Sequence, residues 1–380
     1  MKQLKQVIEA LHSSQYLRAS IDSNGSINNC KLLENGIKYS EQLFLHWRKT
    51  HSLDKEVRNN FIDNIEDDAP VDTNSRYNFI FSKQFHDGIK HLYSKSANQQ
   101  YPAIWKAVQK VHVNNLNKVA SNHFDVSTTG IRTYLFTYYL THPAKGVSDF
   151  FKAQRECKIW WMRFSTDPSK YYLDPYKFSD ISESTVPPGT QSITIKSNLP
   201  YVTLDVESIT LVPLLKTHLD EKIKAFLSNN TIGHDIAPAV IRSVIDLQAA
   251  TSAVLFDSVD NEHENTLLLN RKLAPYQCVI ACCHQGNKLI DLEDLCLHIS
   301  NVLLRSGLRL RSENMIFTQC FNKMEEELCK CDSLGIPYAV IVNESTLLNG
   351  LLKLRSRDTT LEETIHISDL PNYLLQIFSN

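Results

Sequence analysis

The cysteines and histidines of this chain are its best-suited residues for holding a metal or supplying a nucleophile, so their spacing is the first test. Cys282 and Cys283 precede His284, and Cys329 stands two residues before Cys331. A structural zinc site draws on two pairs at C-x2-C spacing within reach of each other, and neither grouping has that spacing. They read as core thiols, with no metal expected. Asp257, Asp260, Glu262 and Glu264 beside His263 carry the donor types for a divalent ion, but a polar run between elements is also what a solvated loop looks like. Of nine cysteines, an odd number, seven lie between Cys278 and Cys331, which fits free thiols in a reducing compartment.

Nucleotide chemistry needs glycines that let backbone N–H groups approach phosphate, and the eleven glycines never fall at Gly-x-Gly. Gly-Lys-Ser, Gly-Lys-Thr, His-Glu-x-x-His and Gly-x-Ser-x-Gly are absent too. No catalytic signature survives, and no cofactor is expected. Trp160 and Trp161 have faces on which unpaired bases could stack. Adjacent residues on a helix point about a quarter turn apart, so the pair reads better as one buried anchor beside a second packed across a seam.

The net charge of −2 excludes coating of nucleic acid by overall charge, so any DNA contact must be local. One stretch qualifies. Lys83, Lys90, Lys95, Lys106, Lys110 and Lys118 occur with Asp87 as the sole acid among them, interspersed with His86, His91 and His112. This is a candidate phosphate-binding surface, although a solvated helical face is the commoner meaning of such a run.

The elements that must position these residues divide into two sets. A chain of 380 residues exceeds a single core, which stops growing near ~250 to 300 residues. Residues 1–270 mix helices with short strands; 271–380 alternate strand and helix as a small α/β domain. In the second part, Gln277–Cys283 and Pro337–Val342 read as buried strands, and Leu308–Arg311 as an edge strand. Leu351–Leu354 and Thr364–Ile367 supply two more strands. A helix capped by Asp291, with an Ile290–Leu295 staple, ends at Gly307. A second carries Phe321, Met324, Leu328 and Cys331, and a third follows Ser368, giving about five strands and three helices. In the first part, Leu32–Trp47, Pro102–Val119 and Asp149–Phe164 read as helices. Ile131–Leu140, Gln191–Ile195 and Val202–Leu211 read as strands, and Val240–Phe256 as a strand pair or a strand plus helix. The opening residues, with Leu4, Val7, Ile8 and Leu11 at helical spacing, suit an amphipathic first helix better than a presequence. Asp54–Asp72 looks like an acid-rich loop, and no apolar run reaches the ~20 residues that span a bilayer.

The run Leu351–Thr360, followed by Thr364, Ile365, His366, Ile367 and Ser368, resembles the C-terminus of mitochondrial DNA polymerase accessory subunits. Asn343–Gly350, Arg271–Pro275 and Phe150–Phe164, followed by Pro168 and Ser169, add to the likeness. It covers the C-terminal domain nearly throughout and part of the N-terminal one; residues 50–125 and 175–235 match poorly. That family resembles class II aminoacyl-tRNA synthetases. The resemblance therefore implies an α+β fold, an antiparallel-sheet catalytic-like domain followed by an anticodon-binding-like mixed α/β domain. An active synthetase would need an Arg after a glycine-rich strand to neutralise ATP phosphate, and the missing Gly-x-Gly agrees with a noncatalytic protein.

What the resemblance implies is a processivity factor of the mitochondrial matrix nucleoid. Its residues 271–380 would dock on the polymerase catalytic subunit and stabilise it on primer-template or double-stranded DNA, with no membrane contact. Gly350, Leu351, Leu354, Arg355 and Arg357 stand in the matching segment as partner contacts, the arginines by bidentate pairing to acids. Because alternating strands turn half their side chains inward, Leu351 and Leu354 read equally as core, and Asp358 as a partner of a neighbouring Arg. Longer members carry a helical insertion used for homodimerisation; the corresponding stretch here, between Lys49 and Ser127, is short and unlike it, which implies a 1:1 heterodimer. Two alternatives are a degenerate synthetase-like tRNA-binding protein, using the positive charge of Leu308–Arg311, and a relative that retains nucleotide binding.

Overall fold

The computed structural model describes residues 2–23, 25–57, 59–61, 80, 83–94, 102–113, 124–126, 130–176, 186–214, 221, 237–260, 266–284, 286, 288–311, 315–319 and 321–379. In chain order its strands are β1 (Leu17–Ile21), β2 (Ile27–Leu32), β3 (Asn59–Phe61), β4 (Ala103–Val113), β5 (Phe124–Val126), β6 (Gly130–Thr141), β7 (Tyr171–Tyr176), β8 (Gln191–Asn198), β9 (Thr203–Pro213) and β10 (Ala239–Asp246), then β11 (Cys278–Cys283), β12 (Ile316–Thr318), β13 (Tyr338–Asn343), β14 (Leu351–Ser356) and β15 (Glu362–His366). The helices are α1 (Lys2–Ser13), α2 (Glu34–Thr50), α3 (Lys83–Ser94), α4 (Gly146–Met162), α5 (Leu247–Asp257), α6 (Leu289–Arg305), α7 (Phe321–Ser333), α8 (Glu344–Asn349) and α9 (Leu370–Ser379). None of the described helices is long and apolar enough to cross a membrane.

Contacts divide the chain into two compact units. One holds Ala19–Lys31 and Phe44–Val254, the other Met1–Arg18, Leu32–Leu43 and Leu255–Asn380. The division falls inside α2, so the N-terminal helices do not segregate by sequence position.

The first unit is built on a seven-stranded sheet of order β3-β4-β6-β10-β9-β8-β7, antiparallel at every pairing except β3 with β4. The expected strands 131–140, 191–195 and 202–211 are β6, β8 and β9, the expected helix 149–164 is α4, and 240–256 resolves into β10 followed by α5. Two expectations fail. The described part of the expected loop 54–72 includes strand β3. Residues 102–113 of the expected helix 102–119 are not helical, residues 114–119 lying outside the described ones: β4 pairs antiparallel with β6 from Ala103 opposite Leu140 to Val113 opposite Gly130. Ile104, Ala107, Val108 and Val111 happen to fall at the i, i+3, i+4, i+7 spacing of a helix. A central strand buried on both faces loses the alternation that would have betrayed it. Trp105 and Ala107 join Phe85, Phe136, Tyr138, Leu140, Val212 and Val240 in one core cluster, with the Trp105 and Tyr138 rings stacked at 4.8 Å.

The second unit carries a five-stranded sheet of order β12-β11-β13-β14-β15, parallel across β12-β11-β13 and antiparallel across β13-β14-β15. Expected strands at 277–283, 337–342, 351–354 and 364–367 are all present. The edge differs: Leu308–Arg311 contributes a single bridge, Leu310 to Cys278, and the outer strand is Ile316–Thr318. Asp291 does not cap its helix, which begins at Leu289, and Ile290 is exposed rather than stapled. Four helices stand where three were expected, because the six-residue α8 sits between adjoining strands where a turn would be read. Gly307 does leave its helix with φ of +83°. Leu292, Ile299 and Leu303 pack with Val340, Val342, Leu352, Leu354, Ile365 and Leu374. The leading helix α1 buries Leu4, Val7, Ile8 and Leu11, as an amphipathic first helix should.

Candidate functional site

The segment that ends at Asp358 begins with a helix that the sequence closes at both ends. Asn343 accepts a hydrogen bond from Thr346 N, and the Thr346 hydroxyl accepts one from Asn343 N, both at 3.2 Å, a reciprocal capping box. Gly350 then leaves the helix with φ of +71°. A β-carbon there would lie 2.5 Å from His366 Nε2, so the position demands glycine for conformation and for space. The strand that follows alternates in exposure. Leu351 and Lys353 face solvent, whereas Leu352 and Leu354 are buried. Leu351 lies opposite His366 and Lys353 opposite Thr364 on the edge strand, and Lys353 pairs with Glu362 at 2.7 Å.

These facts sort the expected partner contacts. Leu351 is 40% exposed, flanked in sequence by Leu348 at 79% and Leu361 at 68%. Leu354 belongs to the core and not to the surface. Arg355 is bidentate to Asp332, at 3.0 and 2.8 Å, an internal acid rather than one reserved for a partner. Arg357 is interior: its guanidinium donates to Gly335 O at 2.9 Å and Leu269 O at 3.0 Å, and to Asp358 Oδ1 at 2.9 and 2.6 Å. It clamps the chain, because two buried carbonyls would otherwise lack donors. Leu348 and Leu361 were missed in sequence, since neither a six-residue helix nor a loop carries a period long enough to mark a leucine as exposed. Arg309, which lent Leu308–Arg311 its charge, likewise donates to Lys272 O and Ala274 O.

The lysine series is also redistributed. Lys90 lies on the exposed side of α3, 3.7 Å from Asp87, and Lys110 is exposed near the end of β4. Lys83 opens α3, while Lys95 and Lys118 fall outside the described residues. Lys106 is removed from any DNA-facing surface: it is 1% exposed, donates to the carbonyls of Trp47 and Arg48 at 2.7 and 3.1 Å, and lies over the Trp47 ring. Burial pushes its ammonium down to about 7.

Within the same unit lies a polar cluster that no local pattern announces. Glu207 on β9 is fully buried and accepts hydrogen bonds from His51 Nε2 at 3.0 Å, Trp161 Nε1 at 2.7 Å and the Ser243 hydroxyl. The β8–β9 pairing shifts register next to Glu207, an irregularity of the kind that re-aims side chains. Cys157, one turn before Trp161 on α4, brings its sulfur 3.5 Å from His51 Nε2. Burial pushes the Glu207 carboxyl up, but the charge of His51 and the three donors outweigh it and hold it below the usual carboxylate range. Burial, reinforced by Glu207, pushes the Cys157 thiol well up. Among the described residues, His51, Cys157 and Glu207 are the group whose donor atoms could hold a metal ion. Their separation of 106 and 156 residues from His51 is why spacing arguments missed them. Of the cysteines considered in sequence, none of Cys282, Cys283, Cys329 and Cys331 takes part in a disulfide.

Residues 277–377 match the model of the anticodon binding domain. Across 384 aligned positions covering 100% of both chains, the protein is 35% identical to DNA polymerase subunit gamma-2, mitochondrial, of Drosophila melanogaster. It is 27% identical to DNA polymerase subunit gamma-2 of Mus musculus over 70% of this chain and 58% of that one. It is 25% identical to that of Bos taurus over 58% and 46%. Full-length identity at that level, joined to an antiparallel sheet unit and a C-terminal anticodon-binding fold, makes the chain a member of the DNA polymerase subunit gamma-2 family.

Proposed function

We propose that this chain is the noncatalytic accessory subunit of a mitochondrial DNA polymerase, acting in the matrix nucleoid. Residues 271–380 dock on the catalytic subunit in a 1:1 heterodimer and hold it on primer-template DNA. The observation that carries the reading is the solvent face of β14 and its flanks. Leu348, Leu351 and Leu361 are exposed at 79%, 40% and 68% within or beside the runs that carry the resemblance to the family. Exposed apolar side chains gathered in one segment favour a protein partner. Gly350 fixes the turn that presents Leu351, and Arg355 supports the same strand from its Asp332 pair. DNA contact is assigned to Lys90 and Lys110, with Lys83 and Lys95 as further members of that series, since phosphate affinity rests on exposed cations.

Primer extension by the catalytic subunit on a long single-stranded template tests this. The expected result is longer products on adding the chain, reverting to the unaided length with Leu351→Asp plus Leu361→Asp in a correctly folded protein. Unchanged length with the unsubstituted chain refutes the reading. Sedimentation of the isolated chain at micromolar concentration should give a monomer; a stable dimer contradicts the 1:1 assignment. The match to an anticodon binding domain favours tRNA binding as the second reading. Tighter binding of tRNA than of primer-template DNA at both low and high salt would select it.

A further inference from the structure

We propose that His51, Cys157 and Glu207 form a site for one divalent transition-metal ion, zinc by donor chemistry, inside the sheet unit. The inference stands apart from the polymerase reading. The three side chains come from the residue that follows α2, from α4 and from β9, yet their donor atoms all lie within 4.8 Å of one another and all three are buried. His51 Nε2 is 3.0 Å from Glu207 Oε1 and 3.5 Å from Cys157 Sγ. Tetrahedral bonds of about 2.0 Å to nitrogen or oxygen and about 2.3 Å to sulfur set neighbouring donors roughly 3.3 to 3.5 Å apart. The two distances from His51 Nε2 therefore meet the geometry within a few tenths of an ångström, and Cys157 and Glu207 present their donors within 4.8 Å of each other.

A mixed nitrogen, sulfur and oxygen set excludes calcium and magnesium, which take oxygen ligands, and suits Zn2+ or Co2+. The supporting hydrogen bonds are already in place, because Trp161 Nε1 and the Ser243 hydroxyl hold the two carboxylate oxygens. Lys106 does not compete, its ammonium being held by two backbone carbonyls. Charge balances as well: binding expels the Cys157 thiol proton, and the resulting thiolate together with the Glu207 carboxylate matches the two positive charges of the ion.

Titration of the chelator-treated full chain with Co2+ tests the site through the thiolate-to-cobalt charge-transfer absorbance. The expected outcome is saturation at one Co2+ per chain, displacement by Zn2+, and release of the Cys157 thiol proton on binding. Cys157→Ala, checked for folding by circular dichroism, should lose the band. Ser243→Ala should keep it with about tenfold weaker binding, and Cys296→Ala should leave it unchanged. Absence of the band in the folded unsubstituted chain under excess Co2+, or its survival in Cys157→Ala, overturns the proposal; the result with the unsubstituted chain decides even where a variant misfolds.

Discussion

The two units use charge in opposite ways. In the sheet unit, Glu207, His51 and Lys106 lie inside, each matched by donors or acceptors from separate elements. In the C-terminal unit, Lys353 and Glu362 of the β14–β15 hairpin pair at the surface, and the buried guanidinium of Arg357 serves backbone carbonyls. A polar group in the first place fixes the fold, and a polar group in the second leaves a face free for a partner. Substitutions should therefore divide cleanly, with large stability costs inside and large binding costs outside.

The sharpest test of that division is Glu207→Ala. It leaves His51, Trp161 and Ser243 facing an empty carboxylate position, and chelator-treated protein should lose about 3 to 5 kcal/mol in urea unfolding. A loss under about 1 kcal/mol would show that the network does not hold the unit together. Arg357→Ala comes next, expected to cost about 3 kcal/mol by stripping two buried carbonyls of donors. Lysine at that position should recover little, because it lacks the guanidinium fork. Gly350→Ala should cost about 1 to 2 kcal/mol for a left-handed backbone, with more if His366 cannot move away. At the small end, Leu361→Asp should change stability by under about 0.5 kcal/mol while weakening association with the catalytic subunit.

Acid and base should separate the interior groups. The Glu207 carboxyl is held below its ordinary 4.5, so its contribution is complete above that pH and is lost as pH falls through the lower folded value. Lys106 acts in the other direction. With its folded value near 7 against 10.5 unfolded, the unfolded chain binds more protons between those limits, so stability rises with pH across that window. Urea midpoints at pH 7 and pH 9 should show the rise, and Lys106→Met should flatten it.

The C-terminal fold was legible because its signals are local. Tyr338–Val342 is wholly apolar, Leu351–Leu354 alternates, and Gly307 marks a helix exit, each within a few residues of what it specifies. In the sheet unit, β6, β8 and β9 carried strand-forming residues, but β4 satisfied a helical period by coincidence, and only its pairing with β6 decides the matter. The expected contacts divided the same way. Their segment names Leu351, Leu354 and Arg357 alike, and only strand facing and the carbonyls of Leu269 and Gly335 leave Leu351 exposed and put Leu354 and Arg357 inside. His51, Cys157 and Glu207 come together through the sheet's tertiary packing, and no window of sequence contains two of them.

The central claim is that the outer face of the C-terminal sheet, not the interior network, binds the polymerase. Titration of the isolated catalytic subunit with the chain, followed by calorimetry, tests it directly. The account expects 1:1 binding that Leu351→Asp plus Leu361→Asp weakens at least about a hundredfold, or about 2.7 kcal/mol, with the urea midpoint unmoved. Equal affinity for the folded double variant and the unsubstituted chain would contradict it.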